Sequence, residues 1–415
     1  MSRGTLSIVG AGITGLMIAY RATNSSLDRD ITVFDEGPDP CSTHAPRRPG
    51  ATYGGLDARH ISLTETTPWA TPDRQELITI PSSEYGWNCL AGQDIDHAEK
   101  EWLAEFLAAT DNPEQQNKDY NEVLLATGAG AAQFSQLETE LPAVFTPSSA
   151  YNTLPVLFTD PAALEKAYRS EHEVDHNVTV YSSSESPPDV EHMFAKNEEL
   201  FAGGLLIAGT SYRVKTMSCD LIAWLENKGV HFVWNTTVGA DSLGGLSVPK
   251  GDVVFAGGVG ESGFSTLLDR AGINMQGVAG CWITLDNPGV SRPLKILARE
   301  PINYINVTPR RGKLLISGGY GWVGRRNYTE ACFLATPLAA IFVSEVSRFF
   351  PTLDSIVDVN DVSICVRPAL PSGVPLVGQI DSPPAHRIFV CVAGAAGGFT
   401  QSPEVSRRIV RLLAS

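Results

Sequence analysis

The stretch that most restricts what this chain can fold into is its opening, residues 5–35. Thr5 to Val9 is a short β-branched and apolar run ending at Gly10, "GAGITG" then opens a helical pattern through Leu16, Ile18, Ala19 and Ala22, and Ile31 to Phe34 supplies a second strand. Each glycine has its own physical task. Gly10 permits the tight turn, Gly12 lets a pyrophosphate approach the backbone beside Ile13 and Thr14, and Gly15 lets helix and strand pack closely. Asp35, about twenty residues beyond Gly15, stands where an acid accepts ribose hydroxyls. Strand, glycines, helix, second strand and acid in that order predict a dinucleotide site. The motif alone does not separate NAD from FAD.

With 415 residues, 43% of them apolar, the chain can bury a full core and is long enough for two domains. A formal net charge of -15 argues against nucleic acid, whose phosphates need concentrated Lys and Arg. The 7 cysteines, with no CxxC pair, read as reduced thiols of a cytoplasmic protein. The opening "LSIVGAGITGLMIAY" lacks the basic leader and cleavage site of a signal sequence, and no apolar run approaches the ~20 residues that span a bilayer. Asn-x-Ser/Thr sites such as Asn177 and Asn235 therefore carry no glycosylation message.

Later blocks separate the cofactors. "TYGGLDARHISLTETTPWA" resembles the segment after the second strand in bacterial D-amino-acid dehydrogenases, with Asp57, Ala58, Ile61, Ser62, Pro68, Trp69 and Ala70 on the pattern and Arg59 and His60 replacing a Gly and a Gln. "YRVKTMSCDLIAWLENKGVHFVWNTTVGAD" is similar to the family's helix and strand leading to the adenine, with Val238 at the adenine position. "GDVVFAGG" looks like the strand whose end, here Ala256, Gly257 and Gly258, touches the cofactor. "VRPALPSGVPLVGQI" and "IFVCVAGAAGGFTQSPEVSRRIVRLL" resemble the last block. The chain thus resembles the D-amino-acid oxidase and glycine oxidase group of FAD-dependent flavoproteins.

That resemblance implies an α/β fold: a Rossmann-like FAD-binding domain from 1–75, 205–275 and 360–415, and an antiparallel-sheet substrate domain with helices on one side from 76–204 and 276–359. Helical spacing is legible over Asp96 to Ala109, and Asp160-Pro161 reads as an N-cap and first helical residue. The resemblance assigns Asp57, Ala58, Arg59, His60 and Ile61 to the FAD pyrophosphate and flavin. It sets the Gly-rich helix start, Gly394, Ala396, Gly397, Gly398, Phe399 and Thr400, under the flavin edge, where backbone N–H groups and a helix dipole stabilise negative charge. The family usually has a His where Ala395 stands.

Arg367 is the foremost candidate for chemistry. It follows the strand-like run Val362 to Val366 and precedes Pro368, so it is expected at a strand end, where a guanidinium can hold a carboxylate with two hydrogen bonds. The matching family residue clamps the substrate carboxylate; an inter-domain ion pair is the alternative. Tyr304 and Asn306 share one face of a strand by the period-two rule, and either can be a substrate-facing residue or an ordinary sheet residue. The strand after them reads "LLIS", without the flavin-facing lysine of sarcosine-oxidase-like members. His60 is a candidate for direct involvement or a hydrogen-bonded structural residue. "HEVDH", His172 to His176, matches a zinc motif, but a strand-like run follows at Asn177 and leaves the helix little room, so no metal is expected.

The expected activity is FAD-dependent oxidation of the C–N bond of an amino acid or an N-substituted glycine-type amine: hydride to flavin N5, then imine hydrolysis, with molecular oxygen or another acceptor taking the electrons. A nicotinamide-dependent dehydrogenase and a flavin-binding protein without turnover are the alternatives.

Overall fold

In the computed structural model, residues 4–42, 59–64, 96–148, 151–185, 201–238, 251–259, 267–269, 271–297, 304–324, 328–350, 362–380, 386–392, 394 and 397–415 are described. The chain begins β1 (Gly4–Val9), α1 (Ile13–Thr23), β2 (Arg29–Phe34), β3 (Arg59–Ile61), α2 (His97–Thr110) and α3 (Pro113–Glu140). It continues β4 (Thr153–Phe158), α4 (Pro161–Val174), β5 (Thr179–Tyr181), β6 (Gly203–Ala208), β7 (Thr210–Tyr212), α5 (Val214–Asn227), β8 (His231–Val233) and β9 (Gly251–Phe255). The last third runs β10 (Gln276–Asp286), β11 (Leu294–Leu297), β12 (Tyr304–Arg310), β13 (Lys313–Trp322), α6 (Tyr328–Phe349), β14 (Val362–Ala369), β15 (Leu376–Ile380), β16 (His386–Val392) and α7 (Gly398–Ala414).

Two large sheets result. One has six strands in the order β15-β16-β9-β1-β2-β8, parallel except for the β15–β16 pair. Its central strands are largely apolar because helices cover them: Leu16, Leu221 and Ile409 from α1, α5 and α7 share a buried cluster with Leu6, Ile8 and Val254. The other has eight strands in the order β14-β10-β13-β12-β11-β4-β6-β5, antiparallel but for the β11–β4 pair. One of its faces packs on α2 and α6, burying Trp102, Phe106, Phe342 and Val346 against Ile283, Val307 and Ile316. The strands divide somewhat differently from the ranges expected: β14, within 360–415, joins the eight-stranded sheet, and so does β6, which reaches past residue 205.

Local signals explain the element starts. Asp96 caps α2 in a reciprocal box with Glu99, and Asp160 accepts from the Ala162 amide at 2.9 Å ahead of Pro161. Helices α3 and α7 pack so closely that a Cβ on Gly130 would lie 1.9 Å from the Thr400 carbonyl oxygen. The buried Glu404 carboxylate fastens the same pair, accepting from Arg407 at 2.6 Å and from Gln133 of α3 at 2.8 Å. Burial alone would raise its pKa; the hydrogen bonds from Arg407, Arg408 and Gln133 outweigh it and hold it at about 2, below the ordinary 4.5. A depressed folded pKa contributes stability above 4.5 that is lost as pH falls toward 2. Glu404→Gln is therefore expected to cost up to about 3 kcal/mol at neutral pH and less near pH 2. Chemical denaturation of both proteins across that range measures the convergence.

Candidate active site

The turn after β1 does what its glycines require. Gly10 sits at φ +105°, its amide donates to the Phe34 carbonyl at 2.8 Å, and an added Cβ would lie 2.6 Å from the Gly257 Cα. A Cβ on Gly15 would lie 1.8 Å from the Gly10 oxygen, so helix α1 can seat on the strand only without a side chain there. A Cβ on Gly12 meets nothing within 4 Å. Gly12 is also the N-cap of α1, and no side chain among the described residues caps the helix there.

Asp35 follows β2 directly, with its carboxylate turned to this turn: Oδ2 accepts from the Ala11 amide and Oδ1 from the Gly37 amide, both at 2.7 Å. Those bonds fix the acid and leave lone pairs for further donors. Val238 is buried in one cluster with Phe34 and Phe255, and the intervening Thr236 amide donates to the Asp35 carbonyl at 2.9 Å. On the other side of β1, the Ala256 amide donates to Val9 at 2.8 Å, and Gly258 follows at φ +66° with open space beside it. Gly10, Asp35 and Ala256 thus come together just beyond the ends of the neighbouring strands β1, β2 and β9. Among the described residues these groups fit a dinucleotide: a helix start without a side-chain cap, an oriented acid beyond it, and two glycine positions where added side-chain atoms would meet nothing.

The second half of the candidate site is the face of the eight-stranded sheet opposite α2 and α6. Register places Arg367, Gly280, Trp282, Ser317, Asn306, Tyr304 and Lys295 on it. Arg367 lies within β14, paired with Val278, rather than at a strand end, because β14 continues through Pro368 to Ala369. Its guanidinium crosses β10 over Gly280, where a Cβ would lie 2.2 Å from Nη2, and Nη1 donates to the Gly319 carbonyl of β13 at 2.8 Å. Tyr304 and Asn306 do share a face, and Asn306 stands opposite Lys295. The Asn306 Oδ1 and Trp282 Nε1 atoms are buried with no hydrogen-bond partner.

One contact ties this face to the two-stranded β3–β7 sheet, and another ties the turn after β14 to the start of α7 through Gly394. His60, 5% exposed on β3, meets Thr308 of β12 at 3.0 Å through Nε2. Gly394 abuts the Gly373 carbonyl, which an added Cβ would approach to 2.4 Å, and its amide donates to Gln401 of α7 at 2.8 Å. Helix α7 starts at Gly398 with Gly397 as an N-cap; no side chain caps it, and the Gly397 amide donates to the Gly394 carbonyl at 2.9 Å. Phe399 and Thr400 are buried behind them, Phe399 stacked on Phe134 with centroids 5.0 Å apart. Ile61 is buried in the same cluster as Phe399. Asp57, Ala58 and Ala396 lie outside the described residues, as does the side chain of Arg59.

Sequence reasoning missed Gly280, Trp282 and Lys295. The one signal was a lysine inside the apolar run "LKIL", and nothing in the order of residues says which strands become neighbours. At the zinc-like motif, α4 ends at Val174, so His176 stands beyond the helix, its ring centroid 5.0 Å from that of His172. Elemental analysis of the purified protein is expected to find no stoichiometric zinc, and His172→Ala should keep its activity. No helix among the described residues is long and apolar enough to cross a membrane. The described cysteines form no disulfide.

A largely parallel sheet carrying a nucleotide-type turn beside a large mixed sheet is the architecture of a cofactor-binding, two-sheet protein. The chain belongs to the FAD dependent oxidoreductase family, whose model matches residues 6–412. It is an FAD-dependent enzyme. No curated protein sequence matches it. Among solved structures it is similar to iminodiacetate oxidase from Chelativorans sp. BNC1 (TM-score 0.61, 14% identity, 99% of this chain and 95% of that one). It is also similar to glycine oxidase from Bacillus cereus ATCC 14579 (0.61, 12%, 99% and 97%) and to a fructosamine oxidase from Aspergillus fumigatus (0.61, 13%, 99% and 86%).

Proposed function

We propose that this enzyme oxidises the C–N bond of an amino acid or an N-substituted glycine-type amine, with Arg367 holding the substrate carboxylate. The observation that carries this reading is the Arg367 guanidinium over Gly280, on the same sheet face as Trp282, whose buried Nε1 has no hydrogen-bond partner. Two kinds of donor on one face suit a carboxylate. The names of the similar structures, oxidases of glycine, iminodiacetate and fructosamine, support an amine as the bond oxidised.

FAD, when bound, supplies the acceptor for the two electrons removed. The residues supply position. The turn at Gly12 and the carboxylate of Asp35 hold the pyrophosphate and ribose; the positive end of the α7 dipole at Gly398 favours negative charge there. Arg367 fixes the carboxylate so that the α-carbon faces the six-stranded layer, and Asn306 Oδ1 accepts a hydrogen bond from the amine. Positioning supplies most of the rate, because the chemistry needs no strong acid or base. Oxygen or another acceptor then takes the electrons.

An anaerobic screen of D-, L- and N-substituted amino acids against the purified protein tests the reading by bleaching of its visible flavin bands. A protein that bleaches with no amine, or a colourless one that takes up no added FAD, would overturn it. Gly280→Val should push the guanidinium off the sheet and raise KM for the substrate found by about tenfold or more at normal flavin content. Steady-state kinetics on the flavin-loaded variant give the comparison.

A further inference from the structure

Two cysteines meet close to the acid assigned to the ribose. Cys41 lies in the turn that follows β2 and Asp35, and Cys219 lies in the second turn of α5. The sheet brings these places together. Helix α5 packs on it through Leu221 and Leu225 and turns back at Lys228 into β8, which runs parallel beside β2. The start of α5 therefore lies at the edge where β2 ends, and there the Cys41 and Cys219 thiols hydrogen-bond to each other. Cys41 is exposed, so packing alone does not account for it, and Cys219 is half-buried beside the buried Ser218 and Ile222. Lys215 stands one turn before Cys219 on the same helix. The bond from Cys41, aided by Lys215, lowers the Cys219 pKa against burial, Asp39 and Asp220. The same bond, burial and Asp39 hold Cys41 as the thiol. The pair is asymmetric: Cys219 is suited to attack and Cys41 to resolve. Cys281, Cys365 and Cys391 are buried, and burial pushes the Cys281 thiol up to about 12.

We infer that Cys41 and Cys219 are a redox pair, which hydrogen peroxide converts to a disulfide that fastens the segment carrying Asp35 to α5. The Cys219 thiolate attacks one peroxide oxygen and the O–O bond breaks. The leaving hydroxide takes the thiol proton and departs as water, and a sulfenic acid remains on Cys219. The Cys41 sulfur then displaces the hydroxyl group, which leaves with the Cys41 proton as a second water, and the S–S bond forms. Two thiols have lost two electrons and two protons, and the peroxide is reduced to water. Sulfurs already in contact need only a small movement to reach the about 2 Å of a disulfide, and Cys41 sits in an exposed turn that can supply it. The segment so fastened is short and stitched together. The Gly37 amide donates to Asp35 at 2.7 Å, the Asn235 amide to the Gly37 carbonyl at 2.8 Å, and the Cys41 amide to Asp39 at 2.8 Å. A bond at Cys41 therefore restrains the acid assigned to the ribose. Peroxide is what oxygen becomes on accepting two electrons, but the inference does not depend on the amine reading, because added peroxide tests the pair directly.

Flavin-loaded protein is treated with hydrogen peroxide, denatured, blocked with iodoacetamide and digested for mass spectrometry. The expected result is the loss of two of the 7 thiols, recovered with dithiothreitol, and one linked pair of peptides carrying Cys41 and Cys219. Cys41→Ser should stop at a sulfenic acid on Cys219 that dimedone traps, whereas Cys219→Ser should leave the Cys41 thiol intact. Release of flavin into urea should slow severalfold on oxidation of the unmodified protein and stay unchanged in either variant. No loss of thiols, a link to another cysteine or between molecules, or a sulfenic acid on Cys41 instead of Cys219 would overturn the pair. A Cys41–Cys219 bond that leaves flavin release unchanged would overturn its action on the Asp35 segment.

Discussion

Arg367→Ala is expected to lose roughly 2 to 5 kcal/mol of substrate or transition-state binding, a fall in kcat/KM of about thirty-fold or more. The guanidinium is half-buried and already ordered by its bond to the Gly319 carbonyl, so a carboxylate that docks on it meets a prepositioned fork. Arg367→Lys keeps the charge without the fork and should rescue only part of the loss. Flavin content should stay near that of the unmodified protein, because Arg367 lies on the eight-stranded sheet and the nucleotide turn lies on the six-stranded one. The sharpest measurement compares a substrate with its amine analogue lacking the carboxylate. The analogue should be poor for the unmodified enzyme and lose little further in Arg367→Ala. Equal losses for both compounds, or a colourless variant, would make Arg367 a structural residue.

Gly12→Val is expected to abolish FAD binding while leaving the polypeptide folded. The contrast with its neighbours carries this. Side chains at Gly10 or Gly15 would run into backbone atoms at 2.6 and 1.8 Å, whereas an added Cβ at Gly12 finds nothing within 4 Å. The added atoms occupy the phosphate approach and no protein contact. Gly12→Val should thus yield a colourless protein that melts cooperatively near the temperature of the flavin-stripped parent, while Gly15→Val should fail to fold. A yellow Gly12→Val protein with an unchanged spectrum would sink the assignment of this turn to the cofactor.

The turn, Asp35 and the α7 start were legible in sequence because each is a local device. A glycine needed for φ +105° at Gly10, or for the 1.8 Å approach at Gly15, leaves its mark at a fixed offset from the neighbouring strand and helix. The helix starts at Asp96 and Asp160 were legible for the same reason, since a cap acts within three residues of itself. The end of β14 was not. Pro368 suggested a stop after Arg367, but a proline keeps its extended φ in a strand and gives up only a donor, and the strand runs on to Ala369.

The sequence by itself determined that the chain carries a β-glycine-α-β nucleotide unit, returns twice more to the same parallel sheet, and presents an arginine near its end. These follow from short-range sterics and from the period of the apolar residues, which do not depend on partners far along the chain. Only the tertiary structure decided what surrounds that arginine. Val278 and Arg367, Trp282 and Ser317, and Asn306 and Lys295 meet because β10, β11, β12, β13 and β14 take one register out of many. A slip of one residue would turn every side chain of a strand to the other face, so the placement of Lys295, Asn306 and Trp282 in one row is a property of the assembled sheet, set by the burial of Ile283, Val307 and Ile316 against α2 and α6 on its far side.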